Sequence, residues 1–325
     1  MGPRDRLLVV VDPTAESQPA VDRAVWLAPR LDAPIELFIC DYDQVLLTEE
    51  GLDADAIGRA KHRFLDRDFR KLRELAREIA NQGIEVTYDV RWHHPLDEGL
   101  ILKVMESRPA LVLKDTHYHS LLKRSIFSNT DWNLIRGCPV PLQLVKARAL
   151  SAAPKILAAV DPLHTHDKPA DLDCAILGIA DDLSQRTGGS LHVFHAFDPA
   201  PAVAAAADSM MTPISTPVSV ITDALETRHR KAFSGLLETC SIDDTTTHFH
   251  QGVPQELLVR LTDQLDIDLV VMGAVSRSAL KRVFVGSTAE RVLDKLPCDV
   301  LVIKTGENVR RYIEGLCPAE DTVSS

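Results

Sequence analysis

Short apolar runs alternate with longer stretches of helical spacing along most of the chain. Leu7-Leu8-Val9-Val10-Val11 has the pattern of a buried strand, ended by Asp12-Pro13. From about Gln18 to Leu31, the apolar positions Ala20, Val21, Ala24, Val25 and Ala28 recur at helical spacing. The series continues with a strand at Ile35–Cys40 and a long polar helix over about 53–81, whose buried stripe would hold Phe64, Phe69, Leu72, Leu75 and Ile79. Gly83 supplies a stop signal, followed by a strand at 84–92 and a helix at 95–107. A strand at 111–113, a helix containing 131–136 and a strand at 142–145 complete the first series. Strands alternating with helices predict a mostly parallel sheet with helices on both faces.

The series then restarts. Lys155–Val160 ends in Asp161-Pro162 and repeats the Val-Asp-Pro of residues 11–13. A helix over about 169–186, a strand at 190–197, a helix at 218–240, a strand at 245–250 and a helix at 254–265 follow. Residues 198–216, rich in Ala, Pro and Ser, have the composition of a mobile loop. At an offset of 158 residues the late segments superpose without a gap: Leu111-Val112 on Leu269-Val270, Leu122-Lys123-Arg124 on Leu280-Lys281-Arg282, Thr130 on Thr288 and Pro139 on Pro297. This predicts two copies of one domain, at 1–150 and 151–308, with a polar tail at 309–325.

The stretch Leu269–Arg277 followed by Val285–Glu290 stands out within the second copy. An apolar run ends in Gly273, and after a connection Gly286-Ser287-Thr288 opens a helical pattern through Val292 and Leu293. Ser287 or Thr288 can cap that helix, whose free N–H groups attract an anion, and Gly286 allows close backbone approach. A strand end facing a helix N-terminus is where open α/β sheets bind nucleotides. An ordinary capped loop satisfies the same spacing.

Composition narrows the partners. Hydrophobic residues make up 45% and charged residues 26%, as in a soluble globular protein, and no apolar run approaches the length of a membrane span. A net charge of −11 argues against a nucleic-acid footprint, so the Lys123-Arg124 and Lys281-Arg282 pairs are expected on solvated faces. The six cysteines are scattered, with no close pair, which fits a reduced, cytoplasmic protein with structural thiols.

With the repeat and these motifs in hand, the chain resembles the universal stress protein family, in its tandem two-domain E type, over roughly residues 5–305. The family's nucleotide motif is Gly-x2-Gly-x9-Gly followed by Ser or Thr. Gly273, Gly286 and Ser287 match it with spacing intact, while Ser276 replaces the second glycine. Thr130-Asp131-Trp132 and Arg136-Gly137-Cys138-Pro139 resemble the E-type signature. The resemblance implies two tandem doubly wound α/β domains of the adenine nucleotide alpha hydrolase-like kind, each a five-stranded parallel sheet flanked by helices. It further implies ATP or AMP, with or without Mg, at the second domain. Asp161 would lie on the adenine side, Met272 and Gly273 against ribose and base, and Ser276, Arg277, Gly286, Ser287 and Thr288 around the phosphates. Serine at 276 adds a Cβ and a hydroxyl that weaken affinity without excluding a phosphate.

The first copy departs further. Asp115 stands in the place of Gly273, Tyr118 in that of Ser276, and Ser128-Asn129-Thr130 in that of Gly-Ser-Thr. A carboxylate there would repel phosphate unless Lys114, Lys123 or Arg124 pointed inward, so this site is expected not to bind ATP. His93, His94, His117 and His119 fall at strand ends or following loops and could together bind a divalent metal, though no motif spacing supports it. His164 and His166, near Asp167, could approach a phosphate or simply lie in a surface loop.

No Walker loop, dinucleotide fingerprint or nucleophile elbow occurs, so no catalytic residue can be named and any ATP hydrolysis would be slow and incidental. The leading expectation is a stress-response protein that senses adenine nucleotide through its second domain and acts through a protein partner. It would pair its two domains within the chain and could form a homodimer. The alternatives are a structural or interaction protein with both sites degenerate, or a binder of another small ligand or a metal.

Overall fold

In the computed structural model, residues 6–43, 54–119, 124–163, 171–208, 217–274 and 292–304 are described, those at 54–56, 117–119, 124–126 and 207–208 by backbone alone. The chain divides into two compact units, Met1–Ala149 with Lys304–Ser325, and Leu150–Ile303. The first contains β1 (Leu7–Val10), α1 (Pro19–Leu31), β2 (Ile35–Asp41), α2 (Ala54–Ala80), β3 (Val86–Trp92), α3 (Leu96–Ser107) and β4 (Leu111–Asp115). A short hairpin of β5 (His117–His119) and β6 (Arg124–Ile126) precedes α4 (Asn129–Gly137) and β7 (Leu142–Val145). The second contains β8 (Lys155–Ala159), α5 (Leu172–Thr187), β9 (Ser190–Phe197), α6 (Ala200–Asp208), α7 (Val218–Thr239), β10 (Thr246–Gln251), α8 (Pro254–Gln264), β11 (Leu269–Gly273) and β12 (Asp299–Ile303).

Each unit is a doubly wound α/β layer with the same strand order. In the first, parallel pairing runs β7-β4-β1-β2-β3. In the second it runs β12-β11-β8-β9-β10. Central strands are apolar on both faces because helices cover both: Leu7, Leu8, Val9 and Val10 of β1 are all buried, as are Ile156, Leu157 and Ala158 of β8. The order reverses between β1 and β4 and between β8 and β11, which opens a crevice beyond their carboxyl ends. Met272 sits opposite Ala159 in the register, so Gly273 and Asp161 flank the crevice of the second unit.

Three expectations are corrected. Part of the Ala/Pro-rich segment is helical: α6 forms because its Ala-rich run has the highest helix propensity, with Pro201 in the first turn where no N–H is needed. His117 and His119 lie on an antiparallel hairpin rather than in an open loop. Cys174 of α5 and Cys240 at the end of α7 form a disulfide across 66 residues, so not all thiols are free. Only tertiary folding brings them together, which is why sequence spacing carried no signal. Cys40, Cys138 and Cys298 are buried outside any disulfide.

Candidate functional site

The crevice of the second unit is shaped by glycine. A Cβ on Gly273 would lie 2.8 Å from Leu172 Cδ2 and 3.2 Å from Ile176 Cδ1, so α5 packs against the end of β11 more closely than any side chain there permits. Met272 is buried one residue earlier. Across the crevice the Asp161 N–H donates to Asp173 Oδ1 at 3.3 Å, tying the end of β8 to the first turn of α5. The α5 N-cap, Asp171, makes no side-chain capping bond. The structure thus places Asp161, Met272 and Gly273 of the predicted site around one strand-end crevice. Ser276, Arg277, Gly286, Ser287 and Thr288 lie outside the described residues, as do His164, His166 and the tail at 309–325. Val292 and Leu293, of the helix expected after Gly286, are buried.

Behind Asp161 lies a residue that sequence patterning did not single out. His195 of β9 is 1% exposed, with Nδ1 3.1 Å from the Val160 carbonyl and Nε2 2.9 Å from His229 Nδ1. A carbonyl only accepts, so His195 Nδ1 carries the proton, and His229 Nδ1–H donates to His195 Nε2. Phe197 stacks on His229, and Phe233 packs beside His195. Burial pushes the His229 pKa down, reinforced by His195 and Arg228 and opposed by Asp161. The pair links α7, β9 and the end of β8. Strand alternation gives His195 an inward face, but nothing in the sequence marks its partner on α7.

The corresponding edge of the first unit is filled by its own carboxylates. Asp115, ending β4, accepts the Ala20 N–H of α1 at 2.5 Å, while its Oδ2 is buried with no hydrogen-bond partner among the described residues. Burial raises its carboxyl to about 7, with the Ala20 N–H and Lys114 working against that rise. Asp131, fully buried, sits at the N-terminus of α4 and completes a capping box with Ser128. Lys114 does point inward, its Nζ 2.6 Å from Asp131 Oδ1. The helix N-termini of α1 and α4, each able to hold an external anion, are therefore occupied from within.

The first-unit histidines diverge where their side chains are described. His93 lies 3.7 Å from Glu98, and His94 meets the Tyr42 ring edge-on at 4.5 Å. The side chains of His117 and His119 lie outside the described set. Among the described residues, no three His, Cys, Asp or Glu side chains are grouped to hold a metal ion. No helix among those residues is long and apolar enough to cross a membrane.

Two doubly wound units with strand-end crevices, one glycine-lined and one carboxylate-filled, define an α/β protein built on a nucleotide-binding type of fold. Residues 3–146 and 154–304 each match the model of the universal stress protein family, and the chain belongs to that family. It is 32% identical over 302 residues to universal stress protein E of Salmonella typhi, covering 93% of this chain and 94% of the relative. It is 31% identical over 299 residues to universal stress protein E of Escherichia coli K12, covering 92% and 93%. A crystal structure of a functionally unknown protein from Pseudomonas aeruginosa PAO1 is similar, with a TM-score of 0.73, 25% identity and 97% coverage of both chains.

Proposed function

We propose that this universal stress protein is a non-catalytic stress-response protein that binds ATP or AMP through its second unit and passes that state to a protein partner in the cytoplasm. One observation carries the reading: β11 ends in Gly273 against α5, whereas β4 ends in Asp115 seated on α1. Adenine and ribose would take the crevice between Asp161 and Met272-Gly273. Ser276, Arg277, Gly286, Ser287 and Thr288 would hold the phosphates, with Mg as a counter-ion when ATP is bound. Asp161 and the His195–His229 pair behind it would couple the bound state to α7. Pairing of the units within the chain, or of two chains, would present the surface that a partner reads.

Calorimetric titration of the full chain with ATP and AMP tests this. The native chain is expected to bind, Gly286→Asp to lose at least about tenfold in affinity through charge repulsion at the phosphates, and Ser276→Gly to bind more tightly. Absence of binding at millimolar nucleotide in both native protein and Ser276→Gly would overturn the reading. It would leave a protein that works through its surfaces alone.

A further inference from the structure

Away from both strand-end crevices, a groove of about 620 Å³ runs along the outer face of α2, lined by Arg63, Asp66, Phe69, Arg70, Arg73 and Tyr88. Phe69 and Tyr88 are each 39% exposed, unusual for aromatic rings in a chain whose other apolar groups are mostly buried. Neighbouring cations are engaged: Arg67 pairs with Asp41 and Asp68, Arg91 with Glu106, and Lys103 with Glu36 and Asp89. Arg63, Arg70 and Arg73 have no carboxylate within ion-pair distance among the described residues, and Arg70 meets only the Asp66 carbonyl, at 3.3 Å. Three uncommitted guanidinium groups on one helix face are conspicuous in a chain of net charge −11.

The groove also borders an open strand. β3 pairs with β2 on one side and has no second neighbour among the described strands. The Glu85 carbonyl and the His93 N–H are bonded toward β2, so alternation turns the backbone groups of Val86, Tyr88 and Val90 outward. Asp89 already accepts the Val90 N–H at 2.9 Å, which blocks that end of the edge. Val86 and Tyr88 remain beside the arginines, as an unblunted template for strand addition.

We propose that this edge docks an extended acidic segment of a partner protein. The segment adds to β3 along Val86–Tyr88, its carboxylates meet Arg63, Arg70 and Arg73, and an aromatic or apolar residue rests against Phe69 and Tyr88. Backbone hydrogen bonds supply register, and the arginine forks supply selection for carboxylate. Nucleic acid fits less well, because it would leave the open strand edge unused.

Fluorescence anisotropy of the full chain, without nucleotide, with a labelled dodecapeptide of three Glu-Thr-Tyr-Thr repeats, which places every Glu and Tyr on one strand face, tests this independently of the crevice in the second unit. Saturable binding is expected, and the triple variant Arg63→Ala, Arg70→Ala, Arg73→Ala should weaken it at least about tenfold. Methylating alternate peptide nitrogens in the register that faces β3 should weaken it comparably with no change of charge. Methylation in the other register should leave it unchanged. The three arginines are exposed, so the variant is expected to keep the native melting curve; should it not fold, the methylated peptides decide alone. The proposal is overturned if the peptide does not bind at about 1 mM, if the folded variant binds as the native chain does, if neither register responds to methylation, or if an oligothymidylate of equal length binds more tightly.

Discussion

In the first unit the strand beside β1 ends in a carboxylate that takes the Ala20 N–H of α1 at 2.5 Å. In the second, the matching strand ends in Gly273, with Leu172 and Ile176 of α5 standing where a Cβ would go. Strand order is the same in both, so the difference is local. A helix N-terminus is a generic anion site, and whether it is available depends on what the neighbouring strand brings to it. The helices outside the crevices differ as well. α2 buries Leu72, Ala76 and Ile79, whereas within α7 only Phe233 is buried. The second unit holds α7 by other means, the His195–His229 bond and the Cys174–Cys240 disulfide.

Exchanging residues between the repeats sharpens the contrast. Lys114 corresponds to Met272, and Asp131 to Ala289, at the offset of 158. Lys114→Met leaves Asp131 buried without its cation and should cost about 3–5 kcal/mol in chemical denaturation. The double variant Lys114→Met, Asp131→Ala should recover part of that loss. Next in size is the disulfide. Reduction, or the double Cys174→Ser, Cys240→Ser variant, should cost the second unit about 2–4 kcal/mol, and hydrogen exchange along α7 should rise well above that along α2. Gly273→Ala should cost about 1–3 kcal/mol by overpacking against Leu172. The last effect is one of pH. Burial raises the Asp115 carboxyl from 3.8 to about 7, so the native state keeps a proton that the unfolded chain has lost between those values. Stability of the first unit should therefore fall as pH rises through that window and level off above it. Asp115→Asn, which keeps an acceptor for Ala20, should flatten the slope in thermal melts.

Much of the fold was legible because central strands of a doubly wound sheet are unbroken apolar runs. Leu7–Val11, Leu111–Leu113 and Leu269–Met272 all showed themselves that way, and the repeat fixed their order. The carboxylate that ends β4 was legible too, since Asp115 is visible in the chain. Its seat on Ala20, 95 residues away, was not. The arginines of α2, the His195–His229 bond and the Cys174–Cys240 link stayed hidden for one reason. Each depends on elements distant in sequence, and neither periodicity nor spacing encodes which faces meet. The Ala-rich α6 is different: its helix propensity was in plain view, outweighed by neighbouring prolines that the first turn tolerates.

The central claim is one nucleotide site per chain, in the second unit. Its most direct test is the stoichiometry of ATP binding by calorimetry, on the native chain and on Asp115→Gly, which carries the second unit's residue in the first. The account predicts one ATP per chain in both, because Asp131, Lys114 and Ser128 still fill the first crevice when Asp115 is gone. Two ATP per native chain, or none, would contradict it.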